Sequence, residues 1–306
     1  MEQGHHKKQK ECVLALGNFD GVHIGHQALL RRGMEYASSA GLPLVVLLFA
    51  PHPQVVLRPE RPFCCLTDLE EKMRVLSNFG VDEILVYPFS QEYAALAPRE
   101  FVVQTLVPLS PVHIVVGYNY TFGERARGRA EDLAGMGSEW GFGVDIIPEQ
   151  RLGDMRVSST DIRQALDQGN AEGAARMLGR SYRLWGVVEE GNRRGRDLGF
   201  PTANLRVVPD VVVPRSGVYV GKVIGREESW DAVVNIGRNP TFADEGSHGK
   251  RVEAHLLGFQ GDLYGQVLGV DFLTRLRAEK KFASGVQLAE QIRMDIGSAR
   301  RFLEDH

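Results

Sequence analysis

Cysteine is scarce in this 306-residue chain: there are three, Cys12, Cys64 and Cys65. They form no CxxC pair and cannot all pair with one another. Neither a disulfide framework nor a cysteine metal site is expected, and a reducing cytoplasm fits best. Long apolar runs are also missing. The longest, residues 42–50, is interrupted by Pro43, whereas a bilayer span needs about 20 such residues. The N-terminus, MEQGHHKKQKE, is polar, and the apolar run 12–16 is too short for a signal-peptide core. His5 and His6 beside Lys7 and Lys8 read as a solvated tail. There is no excess of basic charge: 36 basic minus 39 acidic residues gives −3. A global field for nucleic acid is therefore excluded. No internal repeat or low-complexity segment is present. With 43% apolar and 25% charged residues the composition is that of a folded globular protein. Domains usually run about 100–200 residues, so the length suggests two.

The first half alternates strand-like and helix-like segments. Residues 13–16 form a short apolar run. Residues 25–37 carry Leu29, Leu30, Gly33, Met34 and Ala37 at helical spacing, with Gly41 placed to end the helix. Residues 44–49 read as a strand buried on both faces. Thr67-Asp68-Leu69-Glu70 has the capping-box form and opens a helix through Leu76, closed by Gly80. Residues 84–87 and 113–116 read as further buried strands, with a helix over 99–106 between them and Pro98 at its start. Residues 144–147 make a fifth strand. Such alternation implies an α/β fold, a doubly wound parallel sheet with helices on both faces. From about Gly179 the segments become short and β-rich: 182–189, 211–213, 217–224, 232–236, 251–257 and 266–277. Leu268, Val270, Phe272, Thr274 and Leu276 alternate with Val267, Gly269, Asp271, Leu273 and Arg275. An antiparallel barrel or sandwich is expected, followed by a helix over 284–303 with an apolar stripe from Leu288 to Leu303.

Two stretches carry chemistry. Gly17-Asn18-Phe19-Asp20-Gly21-Val22-His23-Ile24-Gly25-His26 follows the first strand and opens the first helix. Free backbone N–H groups at a helix start favour anions, and Gly21 and Gly25 let backbone approach a phosphate. Two imidazoles three residues apart add donors for developing charge. The second stretch runs from Gly191 through Gly195-Arg196-Asp197-Leu198-Gly199-Phe200-Pro201-Thr202-Ala203-Asn204-Leu205. Thr202 and Asn204, two apart in extended chain, face the same side. Their oxygens suit Mg²⁺ beside phosphates, while Gly195 and Gly199 permit close approach to phosphate. The Walker A pattern GxxxxGK[ST] is absent.

His23–His26 reads HIGH and resembles the signature of nucleotidyltransferases, whose histidines contact the triphosphate of ATP or CTP. Val157-Ser158-Ser159-Thr160-Asp161-Ile162-Arg163 resembles the ISSTxIR motif, which implies phosphate contacts for Ser158, Ser159, Thr160 and Arg163. Val116-Gly117-Tyr118-Asn119-Tyr120-Thr121-Phe122-Gly123 resembles the VGxDFxFG loop of FMN adenylyltransferase modules, with Asn119 where many members carry Asp. Pro51-His52-Pro53 matches that family's PHP segment; His52 ranks below His23 and His26. The second stretch resembles the GRxLGFPTAN signature of riboflavin kinases. Gly217-Val218-Tyr219, Asn235-Ile236-Gly237-Arg238-Asn239-Pro240-Thr241-Phe242, Arg251-Val252-Glu253-Ala254-His255, Asp262-Leu263-Tyr264-Gly265 and 276–282 follow in the family's order. The chain is identified as a member of the bifunctional bacterial riboflavin kinase/FAD synthetase family.

That resemblance implies a Rossmann-like nucleotidyltransferase domain over 1–178 and a riboflavin-kinase β-barrel with a C-terminal helix over 179–306. It implies ATP with Mg²⁺, and riboflavin, FMN and FAD as substrates and products. Glu253 is expected as the kinase base, Thr202 and Asn204 as metal ligands, and Gly195, Arg196, Gly199, Pro201 and Thr202 as phosphate-binding residues. In the other half Gly17, Asn18, Phe19, Asp20, Gly21 and Gly25 are expected at the phosphates. Asn119, Tyr120, Phe122 and Arg277 are expected on the flavin. Small molecules are the expected partners, with no nucleic acid, no membrane, and a monomer or weak self-association. Two alternatives stand beside it: one active half with the other kept as scaffold, and a flavin-binding regulator.

Overall fold

The computed structural model describes residues 10–191, 199–238 and 250–305. The chain divides into two compact units. One holds the described residues up to Phe63 with Leu69–Ser158; the other holds Cys64–Asp68 with the described residues from Ser159 onward.

The first unit is built on β1 (Cys12–Leu16), β2 (Leu44–Ala50), β3 (Glu83–Pro88), β4 (Pro111–Gly117) and β5 (Gly143–Ile147). All pairings are parallel, in the order β3-β2-β1-β4-β5. Helices α1 (Ile24–Ala40), α2 (Leu69–Phe79) and α3 (Ala130–Trp140) lie between strands in the chain. Alternate side chains of β1 enter opposite cores. Leu14 and Leu16 join Val45, Leu47, Ile114 and Val116. Val13 and Ala15 join Val46, Leu48 and Val115 with Leu29 and Leu30 of α1. Burial on both faces is why these strands read as unbroken apolar runs. From β1 the chain moves outward to β2 and β3, then returns to β4 on the other side. The carboxyl ends of β1 and β4 are thus the switch point at which such sheets bind ligands.

Two elements differ from expectation. β3 is half exposed because it is an edge strand, with no partner beyond it among the described residues. The helix expected over 99–106 is α only at Pro98–Phe101, then becomes a π turn, Val102–Leu106, and a 3₁₀ turn, Val107–Leu109. Within the wider turn Val102, Thr105 and Leu106 are all buried, and the Thr105 hydroxyl meets the Tyr93 hydroxyl at 2.6 Å.

The second unit starts with α4 (Ser159–Gln168) and α5 (Ala171–Leu178). The strands β6 (Tyr182–Glu189), β7 (Ala203–Val207), β8 (Gly217–Ile224), β9 (Ser229–Arg238), β10 (Lys250–Leu256) and β11 (Val267–Arg277) close a barrel in the order β6-β7-β10-β9-β8-β11. All its pairings are antiparallel. α6 (Gly285–Glu304) begins at the Ser284 cap and lays Ile296, Ala299 and Leu303 against Val218 and Val220. The run 211–213 is not a strand. Val211 and Val213 are buried, and Val211 makes only an isolated parallel bridge with Cys65; burial, not pairing, explains its apolar character. On β11 the inward set Leu268, Val270 and Phe272 is as expected, but Asp271 on the other face is buried too. α5 packs over β6 and β11, and Asp271 takes two hydrogen bonds from Arg183 at 2.6 and 2.7 Å. Among the described residues no helix is long and apolar enough to cross a membrane.

Burial pushes the Tyr93 and Tyr219 hydroxyls up to about 12 and raises Tyr120 as well. Unfolded, a tyrosine ionises at about pH 10. The folded chain therefore keeps protons that the unfolded chain loses above that pH. This contribution is fully present below about pH 10 and is lost as the pH rises toward about 12. Denaturant midpoints measured across that window are expected to fall, and to fall less steeply in Tyr93→Phe and Tyr219→Phe.

Candidate functional site

In the first unit the turn after β1 has three left-handed residues: Phe19 (φ 46°), Gly21 (φ 83°) and Val22 (φ 44°). Phe19 and Val22 are strained there. Both side chains are fully buried, and that burial pins the turn. His23 then caps α1: its Nδ1 accepts from the His26 N–H at 3.4 Å. A histidine cap in place of the usual Ser, Thr, Asp or Asn lays an imidazole over the first helical turn. The rings of His23 and His26 stack with centroids 3.7 Å apart, and Phe19 backs His26 at 5.1 Å. A Cβ on Gly25 would come within 3.0 Å of the His23 ring. A side chain at position 25 would therefore crowd the His23 ring, a constraint the sequence did not reveal. The first turn of α1 has no acidic residue, which suits an anion. Gly17, Asn18 and the buried Asp20 complete the loop.

Two residues that sequence reasoning missed hold this loop. Gln27 donates to the Val22 carbonyl at 3.0 Å. Lys72 of α2 donates to the Asn18 carbonyl at 3.0 Å. His52 has a local role: it caps the short helix Pro53–Leu57 and stacks on Phe63 at 4.6 Å. Of the expected flavin residues, Phe122 is 5% exposed and packs against Phe101 at 5.4 Å. Tyr120 stacks on Phe122 at 5.9 Å, whereas Asn119 is exposed.

In the second unit Ser159 and Thr160 occupy the first turn of α4, and Ser158 immediately precedes that helix. Arg163 donates to the Cys64 carbonyl at 2.9 Å. Farther along, a cavity of about 470 Å³ is lined by Pro201, Thr202, Asn204, Phe259, Asp262 and Tyr264 among others. Register aligns a polar row across four strands: Glu189 opposes Asn204, Asn204 opposes Glu253, and Glu253 opposes Asn235. The neighbouring Ala203, Leu205, Val252 and Ala254 are buried, because alternate residues face opposite sides. Arg251, also missed from sequence, ties the row together. It donates to Asn204 Oδ1 at 3.1 and 2.5 Å and pairs with Glu253 at 2.8 Å. A Cβ on Gly191 would lie 2.1 Å from the Asn204 amide, so that glycine gives Asn204 its place. His255 Nδ1 meets the Pro201 carbonyl at 2.8 Å. Gly199 is left-handed at φ 85°. Gly195, Arg196 and 239–242 lie outside the described residues. Arg277 is engaged elsewhere in the barrel: it binds Asp295 of α6 at 2.9 and 2.7 Å, and Gln291 joins that carboxylate at 2.9 Å.

Known proteins match both halves. A family model described as FAD synthetase covers residues 5–161, and one described as riboflavin kinase covers 178–303. A bifunctional riboflavin kinase/FMN adenylyltransferase of Bacillus subtilis (strain 168) is 35% identical, over 98% of this chain and 96% of that protein. A protein of the same description from Listeria monocytogenes is 38% identical, over 96% of this chain and 94% of that one. A crystal structure described as a macrolide-efflux protein from Streptococcus pneumoniae superposes with a TM-score of 0.87 at 35% identity, over 95% of this chain and 94% of that chain.

Asp295→Ala would strand the Arg277 guanidinium, whose side chain is 16% exposed against 7% for Asp295. Breaking a buried pair from one side costs about 3–5 kcal/mol. Urea unfolding followed by tryptophan fluorescence is expected to show a loss of that size.

Proposed function

The chain belongs to the bifunctional riboflavin kinase/FMN adenylyltransferase family, and we propose that its two reactions divide at residue 178/179, each with its own residues. It phosphorylates riboflavin to FMN with ATP, and it transfers an adenylyl group from ATP to FMN, giving FAD and pyrophosphate. Two separate polar clusters support two sites, His23 with His26 and Asn204 with Arg251 and Glu253, and the two family models, which end at 161 and begin at 178, support the boundary.

For adenylyl transfer, the FMN phosphate attacks the α-phosphorus and pyrophosphate leaves. FMN is itself the nucleophile, so the protein's part is positioning and charge stabilisation. His23 and His26 stabilise the departing phosphates, with the α1 N-terminus and the loop 17–25 around them. Ser158, Ser159, Thr160 and Arg163 are assigned to the β- and γ-phosphates on their motif. Asn119, Tyr120 and Phe122 are assigned to the flavin. Phe122 acts through its packing, given its burial.

For phosphorylation, Glu253 accepts the proton of the riboflavin 5′-hydroxyl, and Arg251 orients it. Gly195, Arg196, Gly199, Pro201 and Thr202 are assigned to the ATP phosphates. Thr202 and Asn204 would hold Mg²⁺. They line one cavity, and Asn204 Oδ1 is already turned toward a cationic group, Arg251. That ion would neutralise charge on the phosphoryl group in flight. Arg277 is assigned to the flavin on its motif, and it also tethers α6 through Asp295. Among the described residues no cysteine is in a disulfide, which supports a reducing, cytoplasmic setting. The net charge of −3 supports small molecules rather than nucleic acid as partners. A monomer or weak self-association completes the reading.

Incubating the protein with riboflavin, ATP and Mg²⁺ and separating the flavins tests it. FMN and FAD together are expected; FMN alone would mean one active half, and tight binding without turnover would mean a regulator. His26→Ala should slow FAD formation about 10²–10³-fold while FMN accumulates. Glu253→Ala should slow FMN formation about 10²–10⁴-fold, and Asn204→Ala should also stop it. Both should still make FAD from supplied FMN. Loss of both reactions in a folded single variant would sink the two-site division.

A further inference from the structure

We infer that Lys72 is the fixed counter-charge for the triphosphate, and then for the pyrophosphate, in adenylyl transfer, an assignment that rests on placing that reaction at His23 and His26. Lys72 stands in the first turn of α2, where the helix dipole disfavours a cation. It is only 5% exposed, and lysine is almost never buried unless paired. Among the described residues no carboxylate lies within 4.0 Å of its ammonium. Its neighbour Glu71 is taken by Arg74 at 2.6 and 2.7 Å. Asp20, buried in the same region, is beyond that distance.

Among the described residues, the one hydrogen bond of Lys72 goes to the Asn18 carbonyl at 3.0 Å. Asn18 belongs to the loop between β1 and α1, so the ammonium is held at the anion-suited cradle itself. A carbonyl orients an ammonium but does not neutralise it. Burying an uncompensated charge is costly, and a neutral donor would serve Asn18 equally well. A positive charge kept there is explained by an anion that arrives with the substrate. Phosphate oxygens would accept the remaining N–H groups, and the charge-assisted bonds would strengthen as the leaving pyrophosphate gains charge.

The test uses the full chain with Lys72→Met and Lys72→Arg. Inorganic pyrophosphate is the probe, titrated calorimetrically, alongside KM and kcat for ATP in FAD synthesis. Lys72→Met is expected to weaken pyrophosphate binding and raise the KM for ATP by about 10- to 100-fold. Riboflavin phosphorylation by the same protein should not change. Lys72→Arg should recover most of the loss, since it keeps the charge. Pyrophosphate affinity in folded Lys72→Met within about twofold of the parent overturns the inference. So does an equal loss in both variants, which would make the Asn18 contact the whole role. Should Lys72→Met not fold, the ¹⁵Nζ resonance of Lys72 in the parent protein decides: it must shift on adding pyrophosphate, and an unmoved signal refutes the assignment. Failure of the underlying placement looks different, because His26→Ala would then retain full FAD synthesis whatever Lys72 does.

Discussion

The left-handed turn between β1 and α1 is the constraint on which the first site depends. Phe19 and Val22 sit at φ 46° and 44°, a conformation costing on the order of 1–3 kcal/mol for each such residue. Both side chains are at 0% exposure, and burying one of this size returns about 1.5–3 kcal/mol. The two effects are of similar magnitude, so the turn persists only because the core requires both side chains. From it follow the direction of the Asn18 carbonyl, the start of α1 and the cap made by His23. The binding geometry is thus set by the hydrophobic core rather than by a loose surface loop.

The barrel reaches a comparable rigidity by another route. Asn204, Glu253 and Asn235 are aligned by the register of three paired strands, and a strand cannot slip by one residue without turning its buried set outward. Arg251 then joins two members of the row through one planar guanidinium, a geometry that a lysine would not reproduce. Strand pairing fixes where the oxygens are; the arginine fixes how they point.

Much of this was legible because the informative residues are contiguous. The glycines and histidines of 17–26 and the run 199–205 can be read as strings, and the strands of both halves announce themselves by burial. The missed residues make contacts across long separations: Lys72 reaches Asn18, and Arg251 reaches Asn204, 54 and 47 positions away. Nothing in local spacing encodes such a contact. Residues 211–213 misled for a related reason, since β-branched residues report burial whether or not a partner strand is present. The crowding of Gly25 by the His23 ring is likewise invisible in the string, because it depends on where that ring is placed in space.

The charge balance finds its meaning in the pairs. Among the described residues Arg183 is matched by Asp271, Arg277 by Asp295 and Arg74 by Glu71. Each pair leaves the net charge unchanged; the first two fasten one element to another, and the third lies within α2. Charges so consumed are unavailable to a polyanionic substrate. A near-neutral protein can nonetheless bind triphosphates if a few buried cations are withheld from pairing and held near the free N–H groups of a helix start, where burial magnifies their effect. Lys72 meets that description and the paired arginines do not. The whole-chain charge therefore says little about phosphate binding, and the local matching of charges says a great deal.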